Sequence, residues 1–289
     1  MKEAILVVGA TGTFGEPVAR RLHEDGYAVR VLSRNVENAK ARLGDSFDYF
    51  EGDVEDPSSL MDAVDGCFGV HINLRGGPRA EDFERIEFGG VANVAKISAG
   101  KGVQRIAYLS GAATFEENAW FPMVKAKLQA EEAIRESGVP YTIFCATHFM
   151  ESLSLAVRGR RATIVGRQPH RLHWLASRDY ARMVSGAFQR PEAANKRLFI
   201  QGPDSFTMPE AIKTYCSIVH PDIKVSSVPI WLLQLIGKVS FSPELQAVAA
   251  LMRFFEKVGE GGDPSEANDL LGAPTTTLEQ WCEGQRKIA

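Results

Sequence analysis

The sequence predicts an α/β fold: a doubly wound parallel sheet followed by a small C-terminal cap region. Three observations predict it. Short apolar runs alternate with segments of helical periodicity from Ala4 to Cys145. The first apolar run leads straight into GATGTFG, with glycines at Gly9, Gly12 and Gly15, and then into a helix. After about residue 150 the alternation loosens, and Pro and Gly interruptions become frequent.

Ala4 to Val8 is a continuous apolar run, as a strand buried on both faces should be. Glu16 to Asp25 is a helix whose Val18, Ala19 and Leu22 share a face, and Gly26 ends it. Ala28 to Leu32 is the second strand and Asp48 to Glu51 a short third. Ser58 to Val64 is a helix opened by Pro57, with Asp56 or Ser58 as its cap. Gly69 to Leu74 is the fourth strand, Phe88 to Gly100 a helix and Arg105 to Leu109 the fifth strand. Val124 to Ser137 is a strongly periodic helix ended by Gly138, and Tyr141 to Cys145 is the sixth strand. Strand and helix repeated with short connections give a parallel sheet covered on both faces. Beyond it, Arg161 to Val165 and Arg197 to Gln201 read as strands, and Pro209 to Val219, Pro229 to Gly237 and Glu244 to Lys257 as helices.

The glycine loop sits between a strand and a helix, the context in which such a motif has mechanical meaning. Gly9 permits a sharp turn, Gly12 lets backbone approach a pyrophosphate, and Gly15 lets the helix lie close to the strand. The helix N-terminus adds unsatisfied N–H groups and partial positive charge. The loop residues Gly9, Thr11, Gly12, Thr13, Phe14 and Gly15 are therefore the expected dinucleotide contacts. The second strand ends in Ser33 and Arg34, where an NAD-binding chain places an acid for the ribose hydroxyl. A guanidinium there can pair with a 2′-phosphate, so NADP(H) is the expected cofactor, with NAD(H) also compatible; the alternative reading of Arg34 is a surface arginine that aids solubility.

Composition sets the outer limits. The chain has 289 residues, 45% hydrophobic and 24% charged, with net charge −3. That balance suits a globular protein and lacks the basic field that nucleic acid requires. Arg158, Arg160 and Arg161 form a short run read as a solvated loop. The four cysteines are far apart, so neither a metal site nor a disulfide framework is expected; Cys67 and Cys145 read as buried thiols. The longest apolar run, near Ile230 to Ile236, is too short to span a bilayer. With no leader-like start, a reducing cytoplasmic setting is expected.

GATGTFG, the strand-end SRN, GDVEDPSSL at 52–60, IAYLSG at 106–111 and KLQAEEAIRESGVPYTI at 127–143 resemble the NmrA-like group of atypical short-chain dehydrogenase/reductases. The resemblance covers nearly the whole chain. It implies a Rossmann domain over residues 1–150 and a smaller substrate-binding region over 151–289. The group includes NADP(H)-dependent reductases of quinones and phenolic ethers. It also includes dinucleotide-binding redox sensors and an accessory subunit of respiratory complex I. By position, the resemblance sets Asp53 and Val54 against the adenine. It sets His71, Ile72 and Asn73 beside the pyrophosphate and nicotinamide ribose, and Ser110 and Gly111 facing the nicotinamide. For Asp53, a turn or cap role is an equal alternative.

The wider superfamily uses a Tyr-x-x-x-Lys pair. Lys127 aligns with its lysine, but Met123 stands where the tyrosine belongs and has no proton to give. Lys127 is then a candidate acid or base that also touches the nicotinamide ribose; the competing reading is an exposed helix lysine. Cys145 and Ala146 replace an Arg-Pro pair usual in relatives, and His148 beyond them is a second candidate proton donor. Asp179 is read as a structural helix cap. A conjugated acceptor needs little proton donation, so the expected function is hydride transfer to a quinone, aromatic or enone compound. The alternative is a non-catalytic redox sensor or regulatory protein. A small-molecule substrate is the expected partner, with a homodimer or a regulatory protein partner compatible.

Overall fold

The computed structural model describes residues 2–287. At its centre, β1 (Ala4–Val8) lies between β2 (Ala28–Ser33) and β4 (Gly69–Ile72), parallel to both. Adding β3 (Asp48–Glu51), β5 (Arg105–Gly111), β6 (Tyr141–Ala146) and β10 (Lys196–Ile200) gives a seven-stranded parallel sheet in the order β10-β6-β5-β4-β1-β2-β3. The continuous apolar run of β1 has its predicted consequence. Ile5 and Val7 enter one core and Leu6 and Val8 the other. Each such side chain contributes about 1.5–3 kcal/mol on burial.

Helices cover both faces. On one, α1 (Gly15–Glu24) packs Val18, Ala19 and Leu22 beside Tyr180, Met183 and Val184 of α7 (Ser177–Gln189). On the other lie α3 (Pro57–Val64), α5 (Val91–Gly100) and α6 (Pro122–Glu136), through Leu60, Val94, Ala130 and Ile134. Asp56 caps α3 by accepting the Ser58 N–H at 3.0 Å. A helix that the sequence pattern did not reveal, α2 (Val36–Leu43), follows β2 and is capped by Asn35.

The helix expected to begin at Phe88 begins earlier. A single turn, α4 (Ala80–Asp82), runs into a π-helical segment, Phe83–Gly90, and then into α5. Wider π turns often mark functional sites, and here one carries the buried Glu87.

The seventh strand and α7 both lie beyond residue 150 yet belong to the central layers. The expected division at 150 therefore does not follow the sheet. The remaining C-terminal elements are smaller. The hairpin β7 (Val157–Arg158) and β8 (Arg161–Val165) pairs with β12 (Lys224–Val228). A second pair joins β9 (Arg171–Trp174) to β11 (Asp204–Thr207). They share a core with α8 (Met208–Val219) and α12 (Leu278–Arg286). α9 (Ile230–Val239) and α10 (Pro243–Lys257) form a helical pair, and α11 (Ser265–Leu271) packs near β10. Asp179 is not a helix cap: its carboxylate accepts the Thr275 and Thr276 N–H groups and ties the C-terminal segment to α7. The Arg158, Arg160 and Arg161 side chains are exposed, and all four cysteines are free and buried. Among the described residues no helix is long and apolar enough to cross a membrane.

Candidate functional site

In an open α/β sheet ligands gather at the carboxyl ends of the strands, where the strand order reverses. Here that point lies between β1 and β4. Gly9 follows β1 with φ +87°, and a Cβ on it would stand 2.0 Å from the Asn73 carbonyl oxygen beyond β4. Only glycine permits that approach. A Cβ on Gly15 would stand 2.1 Å from the Gly9 carbonyl oxygen, so the third glycine sets the seat of α1 on the strand.

Gly12 differs from both. A Cβ there would meet the Gly9 carbonyl oxygen at 3.2 Å and nothing else within 4 Å. Gly12 and Thr13 are exposed, Thr11 is half-buried, and no side chain caps the N-terminus of α1. The Gly12 N–H itself closes the turn on the Gly9 carbonyl at 3.0 Å; open backbone at an uncapped helix start is what a pyrophosphate needs, so these residues fit a dinucleotide. Phe14 instead braces the loop from the other side, its ring stacked on Phe149 with centroids 4.1 Å apart.

The second strand delivers Ser33 and Arg34 to the same edge. Ser33 Oγ donates to the Asn35 carbonyl, which fixes the turn into α2. Arg34 is exposed and makes no ion pair among the described residues, leaving its guanidinium available to a ligand. Asp53 accepts the Glu55 N–H at 3.1 Å and anchors its own N–H on Ser59 Oγ at 2.9 Å, a turn role. Val54 packs its side chain in the core, and its carbonyl accepts from Asn93.

Beneath the cleft lies a buried polar network. Lys127 Nζ is 3.3 Å from Glu87 Oε2 and donates to the Leu109 carbonyl at 3.3 Å. The two side chains are 14% and 3% exposed, so the surface-lysine reading of Lys127 does not hold. Glu87 Oε1 accepts the Gly76 N–H at 2.8 Å, which joins the π-helical segment to the loop after β4. Tyr108, fully buried, puts its ring 5.5 Å from the Lys127 ammonium. Burial works against the Lys127 charge; the neighbouring Tyr108 and Glu87 outweigh it and hold its pKa above the ordinary lysine range. Burial likewise raises the Tyr108 pKa.

Ser110 donates its hydroxyl to Glu131 Oε1 at 2.6 Å. Glu131, buried, is also paired with Arg197 at 2.8 Å and Arg135 at 3.0 Å. His148 is not the proton donor expected of it. Its ring packs on Phe255 at 4.5 Å and near Trp174 at 5.7 Å, and Nε2 has no hydrogen-bond partner. Burial pushes its pKa down to about 4, so at neutral pH it carries no acidic proton to give. Met123 lies in an apolar cluster with Phe121, Val124, Phe254 and Val258, and no hydroxyl takes the tyrosine's place there.

Sequence reasoning missed Glu87 and Tyr108. An acid flanked by Ile86 and Phe88 ahead of a glycine pair was the visible sign of Glu87. Among the described residues no three His, Cys, Asp or Glu side chains converge to hold a metal ion.

Comparison with known proteins agrees with this architecture. The sequence profile of the NmrA-like family matches residues 1–282. The chain is 22% identical over 241 residues to the photosystem II assembly factor Ycf39 of Trieres chinensis, covering 82% of this chain and 75% of that one. It is 26% identical over 285 residues to the (4-alkanoyl-5-oxo-2,5-dihydrofuran-3-yl)methyl phosphate reductase of Streptomyces griseus, covering 96% of each. In fold it is similar to the crystal structure of Citrobacter sp. triphenylmethane reductase complexed with NADP(H), with TM-score 0.77, 22% identity and coverage of 98% and 99%.

Proposed function

Because the chain belongs to the NmrA-like family, we propose that it is an NADP(H)-dependent reductase acting on a small conjugated acceptor, a quinone or an aromatic or enone compound. The observation that carries this reading is the open Gly12 backbone at the uncapped start of α1, set where the strand order reverses. The N–H groups of Thr13 and Phe14 take the pyrophosphate, the Gly12 N–H being spent on the Gly9 carbonyl at 3.0 Å, and Asn73 borders it across the switch point. Arg34 takes the 2′-phosphate, which favours NADP(H) over NAD(H). When bound, the dinucleotide supplies the hydride.

The chain's own residues set the acceptor class. Lys127, held charged by Glu87, supports the nicotinamide ribose from below. Met123 withholds the proton that a simple ketone would need as its oxyanion forms. A quinone or enone spreads that charge over its own conjugation and tolerates the loss. Two of the three named similar proteins support the class: one is a reductase whose name describes an oxo-dihydrofuran, the other a triphenylmethane reductase. Four free, buried cysteines suit a reducing cytoplasmic setting.

A second reading is a dinucleotide-binding regulatory or assembly protein without turnover. Met123 in the tyrosine's place and the likeness to an assembly factor favour it. Measuring NADPH oxidation across quinones, ketones and enones, with binding titrated in parallel, separates the two. Turnover restricted to conjugated acceptors supports the reductase; binding without turnover supports the second reading; absence of binding refutes both.

A further inference from the structure

Going beyond the reductase reading and not resting on it, we propose that the hairpin of α9 and α10 docks this protein on the surface of an anionic lipid bilayer, with Phe241 and the outer face of α9 as the inserted part. Five residues of α9 are exposed: Trp231, Leu235, Ile236, Lys238 and Val239. Four of them are apolar, and Trp231, Leu235 and Val239 recur at four-residue spacing, so they form one stripe. Phe241 extends it at the tip of the hairpin and is 88% exposed. Single exposed apolar side chains need no explanation, but a contiguous patch on one helix and the turn beyond it does. The apolar run from Ile230 to Ile236 is too short to span a bilayer and long enough to lie in its surface.

The turn is built to hold Phe241 out. Ser242 N–H donates to the Gly237 carbonyl at 3.0 Å and Phe241 N–H to the Lys238 carbonyl at 3.3 Å, the paired bonds that close a helix C-terminus. That closure puts residue 241 in the left-handed region, where glycine is the usual choice. Here the residue is a phenylalanine with φ +52°. A bulky side chain is strained in that conformation, and its ring is left in water as well. Folding gains from neither, so the phenylalanine is explained by what covers its ring. The turn itself is fixed. Ser242 Oγ accepts the Leu245 N–H at 3.3 Å to start α10, and Gln246 Nε2 donates to the Gly237 carbonyl at 3.2 Å.

Charge selects the occupant. From Ile223 to Pro243 the chain has no acidic residue, and its charges are Lys224 and Lys238, although the whole chain carries −3. The small sheet that leads into α9 adds cations: Lys224 of β12 pairs in register with Arg161 of β8, and Arg161 with Arg158 of β7. All three are exposed. Glu244, the first acid after the tip, is answered by its own backbone N–H, by Ser242 and by the Arg79 guanidinium, which together lower its pKa. A second copy of this chain, seated by two-fold symmetry, would bring the same patch against itself, with no acid in the segment to meet Lys238. An anionic bilayer offers hydrocarbon to Phe241 and the stripe, and headgroups to Lys238, with Trp231 suited to the boundary between them. The other face of α10 carries Leu251 and Phe254 into the apolar cluster of Met123, so docking brings the bilayer to an element that packs beside that position.

The test is sedimentation of the full chain with vesicles of phosphatidylcholine alone and with vesicles of an equal mixture of phosphatidylcholine and phosphatidylserine. The parent should sediment with the mixed vesicles, and less so as salt is added. Phe241→Gly removes the ring and the backbone strain together, so its melting temperature should equal or exceed that of the parent. Its binding to the mixed vesicles should nevertheless fall by roughly tenfold or more. Lys238→Glu should weaken binding to the mixed vesicles and leave that to phosphatidylcholine nearly unchanged. A parent that stays in the supernatant with the mixed vesicles would overturn the proposal, as would equal binding by the folded Phe241→Gly protein. Light scattering without lipid covers the remaining case: a parent dimer that Phe241→Gly converts to a monomer, with no vesicle binding by either, would make this face a subunit interface instead. No arm uses NADPH or an acceptor, so the outcome is separate from that of the reductase reading.

Discussion

Deleting the Lys127 ammonium should expose the energetics beneath the cleft. Lys127→Met keeps the apolar stem and removes the charge. Glu87 would then hold a carboxylate in surroundings where its side chain is 3% exposed, with the Gly76 N–H at 2.8 Å as its remaining protein contact. Stripping one partner from a buried pair costs about 3–5 kcal/mol, most of it the stranded charge. Adding Glu87→Gln removes that charge and keeps an acceptor for Gly76. The double variant should therefore recover most of the loss, a coupling of roughly 2–3 kcal/mol. Urea unfolding followed by circular dichroism, with the m-value checked for constancy, measures all four proteins. A loss under about 1 kcal/mol for Lys127→Met would refute the reasoning, as would losses that add in the double variant. Either would mean that Glu87 is not left as a stranded buried charge.

Three other outcomes follow from the site and its surroundings. Arg34→Ala should weaken NADPH by roughly 1–3 kcal/mol while sparing NADH, and an unchanged ratio of the two affinities would remove Arg34 from the phosphate site. His71 is fully buried, with Nε2 2.8 Å from the Tyr180 hydroxyl, and burial pushes its pKa down to about 3. The unfolded chain, with a histidine pKa of about 6.5, binds that proton first, so stability is full above about pH 6.5 and drains as pH falls toward 3, by roughly 5 kcal/mol in all. His71→Asn should flatten that part of the stability–pH curve; an equal slope in parent and variant would show that His71 is hydrated. Met123→Tyr should add activity on a simple ketone if a missing proton donor sets the acceptor class, and no gain in a folded, NADPH-binding variant would count against that explanation.

The parts of the fold most legible in the sequence are those fixed by local chemistry. The positions of Gly9 and Gly15 follow from backbone contacts between adjacent elements, the turn and the close seat of α1 that their spacing predicts, while at Gly12 the geometry shows an open backbone. β1 read correctly because burial on both faces leaves no polar position. α2 was overlooked although Asn35 caps it and Ala39 and Leu43 share its buried face; its other positions are polar enough to resemble a loop. The π segment at Phe83–Gly90 is invisible to a search at 3.6 residues per turn. Long-range contacts were out of reach. Lys127 looks like any helix lysine until Glu87 is brought beneath it, and Glu260 meets Thr147 across 113 residues. His148 shows the converse: its place after a strand pointed to the cleft, but Trp174 and Phe255 from distant elements enclose it.

The proposed function requires a dinucleotide to seat on the loop between β1 and α1. Titrating NADPH against the parent and Gly12→Val, with circular dichroism on both, tests it most directly. The Gly12 Cβ position is open apart from one carbonyl contact at 3.2 Å, so the variant should remain folded. Its branched side chain would fill the space of the pyrophosphate, so binding should be lost while the parent binds. A folded Gly12→Val protein that binds NADPH as well as the parent would contradict the account.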